Sequence, residues 1–271
     1  MAKTHRPLNN MQTDILLSLY KFRFATRDLL VRYQGLNSPT YTHYRLRNLL
    51  EQKYIGRHFD SSYRLHNKPA IYYLLPDGIR FLKQHAELGL NLKALNLLYK
   101  DHGAGEEFIY RCLRIFRLFL QLEELYADKL AFYTATEITE YGYFPKQLPH
   151  AFMALDHNGD TAEFMLELFD SSTAPFVVRQ RLSRYCKHFK LGTWDKAGTV
   201  YPVLLFVCET PTLERRISKT MLKLIYDGDL TSDIRVYITS TAKVEAMTKE
   251  NTDIWHLIDE PEANQSLEDI S

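Results

Sequence analysis

Residues 148–170, LPHAFMALDHNGDTAEFMLELFD, form two apolar, strand-like runs joined by a polar turn at Asn158-Gly159-Asp160. The second run carries Glu167 between Leu166 and Leu168. A carboxylate on such a hairpin is how many metal-dependent nucleases hold Mg²⁺, because a hard cation gives up water only to charged oxygen ligands. Three more acids, Asp156, Glu163 and Asp170, lie within reach in sequence. Side-chain alternation puts Glu163, Met165, Glu167 and Phe169 on one face of the strand. A bound ion would lower the pKa of its water and stabilise charge on a phosphate.

A second kind of chemistry is written into the charge distribution. The whole chain of 271 residues carries +1, yet residues 1–85 hold 14 Lys and Arg against 5 Asp and Glu, a balance of +9, and the rest carries −8. Such polarity reads as a basic module that meets a polyanion, attached to a body that need not.

The elements that must position these residues follow from periodicity and punctuation. In MQTDILLSLYKFRF, Ile15, Leu16, Leu19 and Phe22 share a helical stripe, with Asn10 or Thr13 as caps. ATRDLLVRYQG predicts a second helix from Thr26 to Gly35. A third opens at Ser38-Pro39, a cap followed by proline at the first helical position, and turns Leu46, Leu49 and Leu50 inward. Its opposite face presents Thr40, Tyr41, Tyr44, Arg45 and Asn48. A strand near Ile55, the basic loop GRHFDSSYRLHNKPA, the strand IYYLL and the helix start PDGIRFLKQHA complete the module. Three helices followed by a two-stranded basic wing predict a winged helix-turn-helix, whose third helix enters the major groove. Arg45 and Asn48 would then read base edges, and Arg57, Arg64 and Lys68 would neutralise phosphates.

Beyond a Gly-punctuated connector at 86–105, EEFIYRCLRIFRLFLQLEELYA is a long helix, apolar almost all round, of core or interface type. KLAFYTATEI, HAFMALD and AEFMLELF read as strands, followed by the basic-faced helix PFVVRQRLSRYCKHFK, the buried strand YPVLLFVCE, the helix TLERRISKTMLKLIYDG and the strand DIRVYITST. KVEAMTKE is a short helix and DIWHLID an edge strand. The tail, 259–271, has five acids and no base and is expected to be disordered. The expectation is an α+β chain: a winged helix at 1–85, a connector at 86–105, an α/β domain with a mixed sheet at 106–258, and the tail. Helix, three strands, helix, strand, helix, strand is also the core order of restriction-endonuclease-like, PD-(D/E)xK, nucleases.

With these elements in place, residues 10–240 resemble the replication-relaxation family of plasmid and mobile-element proteins. The carrying residues are KPAIYYLLPDGIRFL, HGAGEEFIYRCL, PHAFMALD with EFMLELFD, and RQRLSRY. The resemblance implies an endonuclease-like domain behind the winged helix and, in some members, relaxase activity in mobilisation. It also implies catalytic positions: where the family has Pro-Asp this chain has Pro149-His150, and where it has Glu-x-Asp this chain has Glu167, Leu168 and Phe169. Asp170 would replace the missing acid only through a one-residue bulge. Arg181 matches a basic residue of the next helix, and Tyr185 the family's tyrosine one turn on. The implied site is therefore Glu167, His150, Asp170 and Arg181, with Glu167 and His150 as ligands of a Mg or Mn ion if the site is active. Arg181 can hold phosphate charge but stays protonated and is no base. A buried Glu167 needs a partner, and Arg181 and His150 are at hand.

Other chemistries find no residues. There is no Gly-rich phosphate loop and no G-x-S-x-G elbow. No His-hydrophobic-His triplet accompanies Tyr185, which leaves a tyrosine nucleophile unsupported. Cys112, Cys186 and Cys208 are too far apart for a zinc site or a disulfide framework, which suits a reducing cytoplasm. The opening MAKTHRPLNN is followed by no apolar segment, so no secretory signal is expected, and the apolar runs are too short to span a bilayer. The leading expectation is a DNA-binding protein of a plasmid or phage-like element, acting in replication initiation or mobilisation with a degenerate nuclease-like domain. Double-stranded DNA is its expected partner, with replication or mobilisation proteins beside it. The rivals are an active metal-dependent nicking endonuclease and a winged-helix transcriptional regulator, whose long apolar helix at 106–127 would support a homodimer.

Overall fold

A computed structural model describes residues 7–59, 63, 66, 68–157, 159–230 and 234–270. The chain divides into two compact units, residues 1–120 and 121–271.

The first unit begins with helix α1 (Asn10–Phe22), strand β1 (Ala25–Thr26), helices α2 (Arg27–Tyr33) and α3 (Pro39–Glu51), and strands β2 (Ile55–His58) and β3 (Ile71–Leu74). Asn9, rather than Asn10 or Thr13, caps α1 in a reciprocal box with Gln12. Thr26 caps α2, and Ser38 caps α3 with Pro39 in its first turn. The strands pair in the order β1-β3-β2, antiparallel throughout. Ile15, Leu16, Leu19, Leu30, Leu46 and Leu49 form the inner faces of the helices, and all are buried. Leu50, expected on that stripe, is only half-buried; Thr42 takes the inner place instead. Helix α4 (Pro76–Gln84) starts so close to the preceding segment that a Cβ on Gly78 would lie 2.3 Å from the Tyr54 carbonyl oxygen.

The expected connector belongs to this unit. It forms helix α5 (Leu92–Leu97), with Leu95 and Leu98 buried, and ends on Asp101, whose carboxylate grips Arg23. Arg23 follows α1 in a positive-φ conformation (φ 67°), and this ion pair holds it there. The unit boundary falls inside α6 (Glu106–Tyr126), whose early Phe116 stacks on Phe22 at 3.9 Å. The apolar leading half of that helix thus has a packing partner within the first unit.

The second unit is a mixed sheet of seven strands flanked by helices. Its strands are β4 (Leu130–Thr134), β5 (Ala151–His157), β6 (Asp160–Phe169), β7 (Val203–Cys208), β8 (Val236–Ser240), β9 (Trp255–Leu257) and β10 (Asn264–Gln265). They lie side by side in sequence order. β6, β7 and β8 are parallel; the outer pairs are antiparallel. Helices α7 (Pro175–Lys190) and α8 (Pro211–Asp227) make the two crossovers, and a short α9 (Thr241–Glu245) follows β8. Crossovers of one hand between strands laid down in one direction put both helices on the same sheet face. The packing agrees: Val178, Leu182 and Tyr185 of α7 and Ile217, Met221 and Ile225 of α8 share a core with Met165, Phe169, Leu204, Phe206 and Ile238.

The tail corrects the expectation of disorder. β10 pairs with β9, so β9 is not the edge strand, and Leu267 and Ile270 are buried. Lys129 meets Glu268, and Asp269 accepts from Ser266 Oγ at 2.6 Å. Two apolar side chains and local partners for the acids outweigh the acidic composition. Among the described residues no helix is long and apolar enough to cross a membrane.

Candidate functional site

In the second unit, Glu167 stands on the face of β6 that α7 covers, in alternation with Met165 and Phe169. Arg181 and Tyr185 are one helical turn apart on α7 and both point at it. The carboxylate is 1% exposed. Its Oε2 accepts from Arg181 Nε at 2.7 Å and lies 2.7 Å from Nη2, and its Oε1 accepts the Tyr185 hydroxyl. Arg181 Nη2 also donates to the Leu148 carbonyl at 3.3 Å. Nδ1 of His150 is 3.0 Å from Glu167 Oε2 and 2.9 Å from the Leu168 amide nitrogen. One nitrogen serves these neighbours in different states: unprotonated it accepts the Leu168 N–H, protonated it donates to Glu167.

Burial alone would push the Glu167 carboxyl up, but the Arg181 guanidinium and His150 outweigh it and hold the group at about 2. Burial and the adjacent carboxylate push the Tyr185 phenol well above its ordinary value. A buried phenol that donates its proton to a carboxylate is a hydrogen-bond donor, not a nucleophile.

The expected metal pair, His150 and Glu167, is brought together, but not in a form that fits a divalent cation. Both carboxylate oxygens are taken, and an ion on Oε2 would sit against the Arg181 guanidinium. Among the described residues no group of three or more His, Cys, Asp or Glu is placed to hold a metal. Asp170 departs from its expected role too. The β6–β7 register runs unbroken from Phe164↔Val203 to Phe169↔Cys208, so the required bulge is missing. Asp170 Oδ1 instead accepts from Thr173 N at 3.1 Å, Thr173 Oγ1 at 2.9 Å and the Ser172 hydroxyl, fastening the loop into α7. Glu163 accepts from Thr199 Oγ1 and Asp156 from Thr161 Oγ1, so neither approaches Glu167 as a ligand would.

In the first unit, α3 exposes Thr40, Tyr41 and Tyr44, the tyrosines at 66% and 62%. His43 and Arg47 are exposed there too; His43 lies three residues after Thr40 and Arg47 three after Tyr44, a spacing that marks them in the sequence. Arg47 pairs with Glu51. The two expected base readers are turned away from the centre of this face. Asn48 Oδ1 accepts from Gln12 Nε2 at 3.1 Å and from Gln52 Nε2. Arg45 is half-buried, and its Nη1 has no hydrogen-bond partner among the described residues. Positions 41, 45 and 48 share one flank of the helix and Tyr41 is exposed, so it is the contact with Gln12, and not helical position, that holds Asn48 in. Gln12 is 36 residues away, a contact that spacing does not signal. Arg57 on β2 and Lys68 beyond it are exposed, with Arg57 over the Phe59 ring at 5.2 Å. Arg64 lies outside the described residues.

No protein-family model matches the chain, and no curated protein matches it. Two solved structures are slightly similar. A double mutant of Lactococcus lactis ZitR has 18% identity over 45% of this chain and 77% of its own, with a TM-score of 0.26. The restriction endonuclease FokI has 10% identity over 89% of this chain, with a TM-score of 0.33. This chain spans 45% of the FokI chain. Likenesses of this size decide nothing about site or activity.

Proposed function

We propose that the protein binds duplex DNA through its first unit, acting as a winged helix-turn-helix. The observation that carries this is the arrangement of α1, β1, α2, α3, β2 and β3 with strand order β1-β3-β2. Its third helix turns Thr40, Tyr41, His43, Tyr44 and Arg47 to solvent, and its β2–β3 side adds exposed Arg57 and Lys68. A helix with a polar and aromatic outer face enters a major groove without burying apolar core groups, and flanking cations neutralise phosphates. Tyr44, Thr40 and Arg47 are the side chains best placed for base edges. Arg45 and Asn48 act from the flank, through the setting of the helix or a shorter reach.

The Glu167–Arg181–Tyr185–His150 cluster we assign to holding α7 on the sheet rather than to metal-dependent cleavage. A role in replication initiation or mobilisation on a plasmid or phage-like element is the context we infer, and it rests on the motifs quoted above. Selection of binding sites from a random duplex pool tests the reading. The expected result is one enriched sequence with the full chain, altered by Tyr44→Ala and Arg47→Ala. An unenriched pool sinks sequence-specific recognition. Supercoiled plasmid incubated with Mg²⁺ or Mn²⁺ tests the assignment of the cluster: the expected result is no relaxation, and relaxation abolished by Glu167→Gln overturns it.

A further inference from the structure

The outer faces of α7 and α8 carry charge that the fold does not use. On α7, Arg179, Lys187 and Lys190 are exposed, and the helix has no acid anywhere along its length. On α8, Arg215, Arg216, Lys219 and Lys223 are exposed. At 3.6 residues per turn each set falls within an arc of roughly 100°. Each arc also holds an exposed aromatic ring, Phe176 at 73% on α7 and Tyr226 at 79% on α8.

Helix stability accounts for only part of this. Lys187 and Lys190 sit in the last turn of α7, where the helix dipole favours cations. Arg179, Arg215, Arg216, Lys219 and Lys223 have no such reason. Arg215, Lys219 and Lys223 are successive i,i+4 like-charge neighbours, a spacing that destabilises a helix. Among the described residues none of these seven cations is in an ion pair, whereas Arg47, Arg80 and Lys129 elsewhere are each paired with an acid. Arg181, the buried cation of α7, points the other way, onto Glu167. Because α7 and α8 pack on the same sheet face, their outward stripes lie on the same side of a unit whose remaining residues are strongly acidic.

We propose that this α7–α8 surface is a second DNA-binding face, gripping the phosphodiester backbone without reading sequence. Unpaired lysines and arginines match phosphate spacing through long, adjustable stems, and Phe176 and Tyr226 can pack on exposed sugars or bases. The proposal deepens the DNA-binding reading and takes from it the identity of the polyanion, but it stands on different residues, in a different unit. The two faces need not hold the same stretch of duplex.

The experiment titrates the full chain into a labelled mixed-sequence duplex across a range of salt. It compares wild type with Arg215→Gln/Lys219→Gln/Lys223→Gln and with Arg57→Gln/Lys68→Gln. The triple variant is expected to bind every duplex more weakly. Its plot of log affinity against log salt should be flatter by about 0.9 per lost phosphate contact, up to about 3 units. Arg215→Lys alone should behave like wild type. A triple variant with wild-type affinity and slope overturns the proposal, whatever the first-unit variant does. Loss in the triple variant with full binding in the double variant keeps this proposal and removes the first-unit reading. A wild-type chain that shifts no duplex at low ionic strength removes both. Phosphatidylserine vesicles provide the remaining arm: a triple variant that loses vesicle binding but keeps duplex binding marks an anionic lipid surface as partner and overturns the nucleic-acid assignment.

Discussion

On α3 the side chains proposed to meet DNA point outward: Tyr41, Tyr44 and Arg47 stand in solvent, above inner positions Thr42, Leu46 and Leu49. On β6 the polar side chain with a use points inward: Glu167 is sealed under α7 with a cation, a phenol and an imidazole around it. An exposed charge is worth little to the fold and is free to meet a ligand. A buried one is committed to the groups that neutralise it, and removing any of them exposes the cost of its desolvation. The comparison teaches that a carboxylate in a hairpin is not a metal site until its oxygens are shown to be available. It predicts that substitutions in the two regions will separate stability from binding.

The largest effect should come from Arg181→Met, which takes the guanidinium from the buried Glu167 carboxylate and leaves it only Tyr185 and His150. We expect a loss of about 3–5 kcal/mol. Trp194 and Trp255, the only tryptophans, both lie in the second unit, so urea unfolding followed by tryptophan fluorescence reports on that unit. A loss under about 1 kcal/mol would show that the pair is not what holds α7. Replacing both charges and the phenol that depends on them, Glu167→Leu with Arg181→Met and Tyr185→Phe, should recover most of the stability, because apolar groups of similar volume have no desolvation cost and no donor is stranded.

Acid titration sharpens the same point. The Glu167 carboxyl is near 4.5 when unfolded and at about 2 when folded. A depressed folded value contributes stability that is fully present above pH 4.5 and is lost as pH falls toward 2. The contribution is on the order of 3 kcal/mol at neutral pH. Stability of the Glu167→Gln chain should be flatter in that window. Equal acid sensitivity in both proteins would place the titrating group elsewhere.

Asn48→Ala tests the flank of α3. It removes the acceptor shared by Gln12 and Gln52. A stability loss of about 1–2 kcal/mol is expected from two hydrogen bonds. Unchanged stability with altered sequence preference would return Asn48 to the role of base reader. Tyr44→Ala should be the quietest for the fold, within about 0.5 kcal/mol of wild type, while changing the preferred DNA sequence.

The elements were legible because each rests on local chemistry: Thr26 and Ser38 cap helices, Pro39 and Pro175 start them, and alternation marks β5 and β6. The partners of Glu167 were legible for a general reason, that a buried charge needs an opposite one. The direction of that argument was not. The same carboxylate serves a metal or a salt bridge, and only the distances to Arg181 and Tyr185 distinguish them. The orientation of Asn48 depended on Gln12, a contact between α1 and α3 that no spacing encodes. The ordered tail depended on where Leu267 and Ile270 could be buried, and composition over 259–271 is blind to that. The boundary at 120 was hidden because it falls inside α6, one continuous helix from Glu106 to Tyr126.

The central claim is that the exposed face of α3 and its flanking cations bind duplex DNA, and a salt titration tests it most directly. Affinity of the full chain for a labelled duplex is measured from low to moderate ionic strength, beside Arg57→Gln/Lys68→Gln. The account predicts a steep fall in affinity with salt for the wild type and a slope flatter by about 2 units in the variant. An affinity indifferent to salt, or a variant indistinguishable from wild type at every salt concentration, contradicts it.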